Sequence, residues 1–281
     1  MMTTQPMVRA RGEAAIPALG LGTWRMGECG NRRKDEIAAL QLGIDLGFGL
    51  IDTAEMYGSG TAEQIVGEAI RGRRDQVYLV SKVLPSNASR KGTIKAVERS
   101  LKHLNCDHID LYLLHWPGPY PLEETFEVFG RLSDEGKIGR YGVSNFDTDD
   151  MVDAFATQGG EGVCVDQVLY NLAQRAAEDE LMAWCGMNDV ALMAYSPLDQ
   201  GGILENVVLK GIADRHGVTA AAVAIAWTMR FSNIVSIPKA TATEHVYACS
   251  AARDVVLTEE DLDAIDQAFP PPVPGVRLGV Y

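Results

Sequence analysis

The sequence predicts an α/β fold of the TIM type, a (β/α)8 barrel in which each of eight parallel strands is followed by a helix. From residue 19 onward, short apolar runs rich in β-branched residues alternate with longer segments of helical period. We count eight such units in 281 residues, and a closed barrel of this type needs roughly 250. We therefore expect a single barrel domain spanning residues 1–281.

The strand candidates are mostly apolar on both faces, as parallel strands buried between a core and a layer of helices should be. They are residues 19–22, 50–53, 77–82, 109–115, 141–144, 163–167, 190–195 and 234–238. Ahead of them, polar and apolar residues alternate over 8–16 around Arg11 and Gly12. This pattern predicts a β-hairpin, and we expect it to plug the barrel floor.

Helices are predicted by apolar residues that recur every three or four positions. The clearest stripes are Ile37, Leu40 and Ile44, and then Ile94, Val97, Leu101 and Leu104. A further helix over 220–230 follows Thr219 as its N-cap, and Thr258 with Asp261 predicts a capping box at the start of the last helix.

Composition excludes several classes of protein. The 25 Lys and Arg against 38 Asp and Glu give a net charge of -13, which repels nucleic acid and anionic membranes at long range. The five cysteines show no CxxC spacing, so we expect neither a disulfide framework nor a metal site. With no signal peptide or long apolar stretch to be seen, we expect a cytoplasmic protein, and we take a monomer as the default.

Four polar residues lie at the predicted carboxyl ends of neighbouring strands, which is where barrels of this kind carry their active sites. Asp52 ends the second strand, Tyr57 lies five residues further on, Lys82 ends the third strand and His115 ends the fourth. Any one of them alone is more often structural, but together they predict a catalytic site.

This set suits proton transfer. We expect Lys82 to lower the pKa of Tyr57 by favouring the phenolate, and Asp52 to keep Lys82 protonated. His115 can donate a hydrogen bond to a carbonyl oxygen. Because side chains contain no hydride donor, reduction of that carbonyl requires a cofactor, with Tyr57 supplying the proton.

These residues stand in motifs that resemble the aldo-keto reductase superfamily, most of all its bacterial methylglyoxal reductase-like members. The motifs are LGLGTW (19–24), IDTAEMYG (51–58), VSK (80–82), LYLLHWP (111–117), GVSNF (142–146), YSPL (195–198) and IPKA (237–240). They cover nearly the whole chain in order. By contrast, no GxGxxG follows the first strand, which disfavours a Rossmann fold.

The resemblance implies NAD(P)H-dependent reduction of small aldehydes and ketones, with Asp52, Tyr57, Lys82 and His115 as the catalytic tetrad. It also implies cofactor contacts at Gly22, Thr23, Trp24, Asp52, Ser144, Asn145, Gln167, Tyr195, Ser196, Leu198, Lys239, Ala240 and His245. Within that set, Ser144, Asn145 and Gln167 match residues that bind the carboxamide of the nicotinamide. Tyr195 matches the aromatic residue that stacks on the nicotinamide ring, and Lys239 matches the lysine that binds the 2'-phosphate of NADPH.

NADPH is therefore the expected cofactor, with NADH as the other possibility, because the chain departs from the family around the adenosine. Where many members carry serine, arginine, glutamate and asparagine, this sequence has Ala240, His245, Ala248 and Cys249. The family's arginine is thus absent.

The resemblance also places Trp24, Met56, Tyr57, His115 and Trp116 around the substrate, which predicts an apolar pocket for small aldehydes and 2-oxoaldehydes such as methylglyoxal. Only about a dozen residues, including the run PPPVPG, follow the last predicted helix. We therefore expect an open pocket.

Other interpretations deserve tests. Trp24 and Trp116 can be core aromatics, and Lys239 can be an ordinary surface lysine. A buried barrel lysine such as Lys82 can also form the Schiff base of an aldolase. Finally, some family members bind NADPH as regulatory subunits without turnover.

Overall fold

The computed structural model describes residues 6–12 and 14–281. Within this part of the chain there are ten strands. They are β1 (Met7–Ala10), β2 (Ala14–Pro17), β3 (Gly20–Gly22), β4 (Leu50–Asp52), β5 (Tyr78–Val83), β6 (Ile109–Leu114), β7 (Ile138–Ser144), β8 (Val163–Leu169), β9 (Ala191–Tyr195) and β10 (Ile234–Ile237).

Strands β3 to β10 form one parallel sheet in which each strand pairs with the next along the chain. The sheet closes between its first and last strands. Here the Ser236 N–H donates to the carbonyl of Ala18 at 2.8 Å, and the Gly22 N–H donates to the carbonyl of Pro238 at 2.9 Å. The predicted eight-stranded barrel is confirmed.

Ten α-helices occur in the described residues, and most of them cover the outside of the barrel. They are α1 (Arg33–Asp45), α2 (Thr61–Ala69), α3 (Arg90–Leu104), α4 (Leu122–Asp134), α5 (Thr148–Ala156), α6 (Leu181–Met187), α7 (Val207–His216), α8 (Ala220–Thr228), α9 (Thr243–Ser250) and α10 (Glu259–Ala268). None of the helices in the described segments is long and apolar enough to cross a membrane.

Two predicted helix starts have the geometry that their sequences indicate. The Thr219 hydroxyl accepts a hydrogen bond from the Ala222 N–H at 3.2 Å at the start of α8, although α8 ends at Thr228 and not at residue 230. Thr258 and Asp261 form the expected reciprocal capping box of α10.

Apolar side chains are divided between two cores. The larger one lies between the sheet and the surrounding helices. The smaller one fills the barrel interior, where Leu50, Val80 and Leu111 from the strands meet Val8 and Ile16 from the hairpin. The hairpin formed by β1 and β2 therefore plugs the barrel floor, as predicted, although Glu13, which falls in the predicted range 8–16, lies outside the described residues.

Candidate active site

The carboxyl ends of the barrel strands surround a cavity of about 150 Å³, which we call the first cavity. Thirteen predicted site residues line it. They are Gly22, Trp24, Asp52, Met56, Tyr57, His115, Trp116, Ser144, Asn145, Gln167, Tyr195, Ser196 and Lys239. Residues from all parts of the chain thus meet at one end of the barrel, which we call the mouth.

A second cavity of about 350 Å³ adjoins the first and shares Trp24, Ser196 and Lys239 with it. Leu198 and His245 line this second cavity. Two predicted cofactor residues line neither cavity. The Thr23 hydroxyl is buried and donates to the carbonyl of Asp52 at 3.0 Å, and Ala240 is buried beneath the surface.

A buried ion pair lies next to Tyr57. Lys82 Nζ donates to Asp52 Oδ2 at 2.8 Å and to the carbonyl oxygen of Thr53 at 2.9 Å. Nζ also lies 3.4 Å from the Tyr57 hydroxyl. Lys82 is fully buried and does not itself line the first cavity. Since an isolated buried ammonium is costly, Asp52 makes this position of Lys82 stable.

The expected lowering of the Tyr57 pKa is wrong for this structure. Burial raises the pKa of the Tyr57 phenol well above its usual value, and the nearby charge of Asp52 raises it further. Burial likewise lowers the pKa of Lys82, although Asp52 opposes that change. Because burial and, after it, the charge of Asp52 raise the pKa of Tyr57, the residue remains a neutral phenol at physiological pH and can serve as a proton donor.

His115 is a neutral imidazole beside Tyr57. Burial lowers the pKa of His115 well below its usual value, and the charge of Lys82 lowers it further. The Tyr57 and His115 rings meet edge to face, with centroids 5.7 Å apart. His115 Nδ1 is buried without a hydrogen-bond partner. Because an unpaired buried donor is more costly than an unpaired acceptor, we assign the ring proton to Nε2.

The opposite wall of the first cavity is a hydrogen-bonded chain of polar side chains. The Tyr195 hydroxyl donates to Asn145 Oδ1 at 3.0 Å, and Asn145 Nδ2 donates to the carbonyl of His115 at 3.0 Å. Gln167 Nε2 donates to Asp52 Oδ1 at 2.8 Å, which links this wall to the ion pair. The Ser144 hydroxyl donates to the carbonyl of Gln167 at 2.7 Å.

Backbone strain accompanies this wall. Asn145 has φ of 60° and Ser196 has φ of 51°, values that residues other than glycine rarely adopt. Each follows the end of a barrel strand and faces the first cavity. Such strain is often found at functional sites, where the surrounding structure holds a side chain in an unusual position.

The residues at the mouth fit a nicotinamide dinucleotide. Tyr195 offers a partly exposed aromatic ring, Asn145 and Gln167 offer amide groups, and Lys239 offers a cation where the two cavities meet. Gly22 allows its backbone to lie close to that of Ile237, because a Cβ atom at this position would be only 3.1 Å from the carbonyl oxygen of Ile237. Flat, polar and cationic groups are thus arranged along one continuous groove.

The rim of the first cavity is apolar. Met56 is 40% exposed and Trp116 is 37% exposed, while the Arg25 guanidinium lies 4.2 Å from the ring centroid of Trp24. Trp24 and Trp116 therefore line the cavity and are not core residues.

Tyr281 is a cavity residue that the sequence analysis missed, and the expectation of an open pocket needs correction. Tyr281 lines the first cavity, and its hydroxyl donates to Asp199 Oδ1. The segment after α10 is also anchored where the Gly275 N–H donates to Asp179 Oδ2 at 2.7 Å. A dozen extended residues reach about 40 Å, so length alone could have shown that this segment can cross the mouth.

The fold and the mouth residues define a barrel enzyme with two joined ligand cavities. The model of the aldo/keto reductase family matches residues 18–269. The chain is 45% identical to methylglyoxal reductase YeaE of Escherichia coli over 273 residues, or 95% of this chain and 96% of the relative. It is 32% identical to glyoxal reductase of Bacillus subtilis over 92% of this chain and 91% of that protein.

Comparison with solved structures indicates the same family. The crystal structure of an aldo/keto reductase from Klebsiella pneumoniae in complex with NADP and acetate has a TM-score of 0.96, with 46% identity over 99% of this chain and all of that one. The chain therefore belongs to the aldo/keto reductase family and is an oxidoreductase. An aldolase is disfavoured on chemical grounds as well, because Lys82 is an ion-paired ammonium with no exposed surface.

Proposed function

We propose that this protein reduces small aldehydes and 2-oxoaldehydes such as methylglyoxal with NADPH, and that Tyr57 donates the proton. The observation on which this rests is the position of Tyr57, which lines the first cavity and whose hydroxyl is 3.4 Å from the buried Lys82 ammonium. No other phenol in the described residues combines a place on this cavity with contact to a buried cation.

Support for NADPH comes from the relatives and from the groove. Two Klebsiella pneumoniae structures, each 46% identical to this chain, contain NADP or NADPH. When bound, NADPH supplies the hydride for the carbonyl carbon. Asn145 and Gln167 are suited to bind the carboxamide, Tyr195 to stack on the nicotinamide ring, and Lys239 to bind the 2'-phosphate.

The tetrad residues have distinct roles in this proposal. Neutral His115 donates from Nε2 to the substrate carbonyl oxygen and holds it near Tyr57. Tyr57 donates its proton to the same oxygen as negative charge develops there. The Lys82 ammonium then stabilises the phenolate that remains on Tyr57, and Asp52 keeps Lys82 charged and in place.

The raised pKa of Tyr57 fits this direction of proton transfer. A phenol with a raised pKa keeps its proton until the substrate oxygen becomes strongly basic. Water and weak bases therefore do not remove the proton beforehand. The same property makes the free phenolate a costly species, so the Lys82 contact at 3.4 Å matters most after the proton has left.

Cavity size and lining support a small substrate. A cavity of about 150 Å³ lies below the roughly 300–1,000 Å³ of most ligand sites. Trp24, Trp116 and Tyr281 supply flat apolar surface around it. The names of the Escherichia coli and Bacillus subtilis relatives, a methylglyoxal reductase and a glyoxal reductase, point to the same class of substrate.

Tyr57→Phe tests the proposal. We expect kcat with methylglyoxal, followed by NADPH absorbance, to fall about 10²- to 10⁴-fold, the usual contribution of a general acid. The dissociation constant for NADPH, measured by calorimetry, should stay within about twofold, because the variant keeps the aromatic ring. Retention of most of the turnover by Tyr57→Phe would exclude Tyr57 as the proton donor.

Tyr78→Phe provides the matched control. Tyr78 starts β5, and its hydroxyl is buried without a hydrogen-bond partner. It does not line the first cavity, so its removal should leave turnover unchanged. If the wild-type protein bound NADPH but reduced no member of a panel of aldehydes, a regulatory binding role would replace the proposed reductase.

A further inference from the structure

The second cavity carries more positive charge than the rest of this acidic protein would suggest. Arg25 and Lys239 line it, and Arg32 lies close to Lys239. Within the described residues, none of these three side chains forms an ion pair with a carboxylate, although the protein carries a net charge of -13. Like charges that converge in this way are suited to an anionic ligand between them.

Arg32 comes from a distant part of the chain. It lies just before α1, in the segment that follows the first barrel strand, and its side chain is exposed. Arg32 Nη2 donates to the Thr241 hydroxyl at 2.8 Å. Thr241 lies two residues after Lys239, so this bond brings the Arg32 guanidinium next to the segment that follows the last barrel strand.

Two acidic residues near Lys239, Glu36 and Glu28, do not neutralise the positive charge at the second cavity. Burial is the main cause that lowers the pKa of Lys239, and the charge of Arg32 is the next largest, ahead of the opposing effect of Glu36. Glu36 is buried and accepts a hydrogen bond from the Gly27 N–H at 3.0 Å. Glu28 acts more weakly still on Lys239.

The helix after β10 does not supply a guanidinium. Three α9 residues line the second cavity, namely His245, whose side chain is exposed, Ala248 and Cys249. An imidazole has at most two N–H donors, which point in different directions, whereas a guanidinium offers a phosphate dianion several N–H donors in one plane.

We propose that Arg32 determines cofactor specificity by binding the 2'-phosphate of NADPH together with Lys239, a role that α9 cannot fill with His245. This inference rests on the proposed use of NADPH. Arg32 is better suited than Arg25, whose guanidinium stacks on the Trp24 ring at 4.2 Å. The Thr241 hydroxyl accepts a hydrogen bond from one Arg32 N–H group and orients the guanidinium, whose other side-chain N–H groups have no partner among the described residues.

Arg32→Gln tests this assignment by calorimetry without any turnover. We expect the dissociation constant for NADPH to rise about 10- to 100-fold, as the loss of a charge-assisted hydrogen bond to phosphate implies. The dissociation constant for NADH, which lacks the 2'-phosphate, should stay within about twofold. Adenosine 2',5'-bisphosphate and adenosine 5'-monophosphate, used as probes, should show the same contrast.

Two further variants sharpen the test. Arg32→Lys keeps the positive charge but loses the planar set of guanidinium N–H donors, so its affinity for NADPH should lie between those of the wild type and Arg32→Gln. Arg90→Gln removes an exposed arginine that pairs with Glu127 on the helix layer, and it should change neither dissociation constant. Equal weakening of NADPH and NADH in Arg32→Gln, or no weakening at all, would overturn the assignment.

The outcomes also separate this inference from the proposed function. Wild-type protein that binds NADPH and loses affinity on Arg32→Gln, yet reduces no aldehyde, would support the Arg32 assignment and refute the reductase proposal. Wild-type protein that reduces methylglyoxal with NADPH, with an Arg32→Gln variant of unchanged affinity, would do the opposite.

Discussion

At the scale of single residues, Asp166 is a buried acid that the proposed reaction does not use. It precedes Gln167 on β8, and because neighbouring side chains on a strand point to opposite faces, Asp166 faces the helices and not the cavity. Burial raises the pKa of the Asp166 carboxyl well above its usual value. The group is therefore protonated in the folded protein at pH values where the unfolded chain has lost that proton.

Asp166→Asn should stabilise the protein increasingly as pH rises. Between the unfolded pKa of about 4 and the raised folded pKa, the folded state holds one proton more than the unfolded chain, so wild-type stability falls with pH. The difference in unfolding free energy between variant and wild type should grow by up to about 1.4 kcal/mol per pH unit in that window. Urea unfolding at pH 5, 6.5 and 8 measures it.

Asp153→Asn is the control for this prediction, since Asp153 is exposed on α5. We expect no comparable pH-dependent difference for it. A constant difference for Asp166→Asn across the three pH values would show that the carboxyl is not held protonated.

The sequence was enough to predict that the side chains of the proposed tetrad lie together, but it did not predict their pKa values. The motif around Tyr57 and the strand end at Lys82 were enough to expect the two side chains together, and the structure places them 3.4 Å apart. The direction of the Tyr57 pKa depends on burial and on the second charge of Asp52. Both are properties of three-dimensional packing that no local pattern reports.

At the scale of elements, the hairpin of β1 and β2 plugs the barrel floor. Ile16 has no exposed surface and packs against the interior-facing side chains of the strands. Ile16→Ala should lower the free energy of unfolding by about 2–5 kcal/mol, because it leaves a cavity in a packed core. Chemical denaturation followed by circular dichroism measures the loss.

Met7→Ala is the matched control on the same hairpin, because Met7 is 50% exposed. It should cost less than about 1 kcal/mol. Similar losses for both substitutions would mean that the hairpin is only loosely attached to the barrel interior.

Element boundaries were predictable where local chemistry sets them. Thr258 and Asp261 define the start of α10, and seven of the eight barrel strands agree with the predicted bounds within two residues. The exception is β7, which begins at Ile138 and not at residue 141. Gly139 and Arg140 interrupt its apolar run, yet they belong to the strand because β6 pairs with it from Ile109 onward.

At the scale of the whole molecule, the segment after α10 returns across the mouth. Tyr281→Ala should raise the KM for methylglyoxal roughly fivefold, which corresponds to about 1 kcal/mol of lost aromatic contact. It should also admit bulkier carbonyl compounds, because the wall of the first cavity is removed. Steady-state kinetics with methylglyoxal and a bulky aromatic aldehyde measure both effects.

Two variants identify the cause. Tyr281→Phe keeps the ring and loses the hydrogen bond to Asp199, so its effect should be smaller. Val280→Ala alters a neighbouring side chain that is 64% exposed and lies outside the cavity, and its kinetics should match the wild type. Unchanged kinetics in Tyr281→Ala would mean that this residue does not enclose the substrate.

Long-range contacts account for what the sequence did not predict. Eight alternating units were enough to predict the barrel, since each strand pairs with its neighbour in the chain. By contrast, the bond from Arg32 to Thr241 spans 209 positions and that from Tyr281 to Asp199 spans 82. Such contacts depend on where loops meet once the barrel has closed. A single domain over residues 1–281 stays a prediction.

The place of Trp24 has a practical consequence. Its indole belongs to both cavities, whereas Trp116 belongs to the first alone, and these are two of only four tryptophans in the protein. The protein thus contains one intrinsic fluorophore that the two cavities share and another in the first cavity alone. Trp184 and Trp227 line neither of these cavities. In a Trp116→Phe background, a change in emission on ligand binding can therefore be assigned to Trp24 and followed in real time without an attached dye.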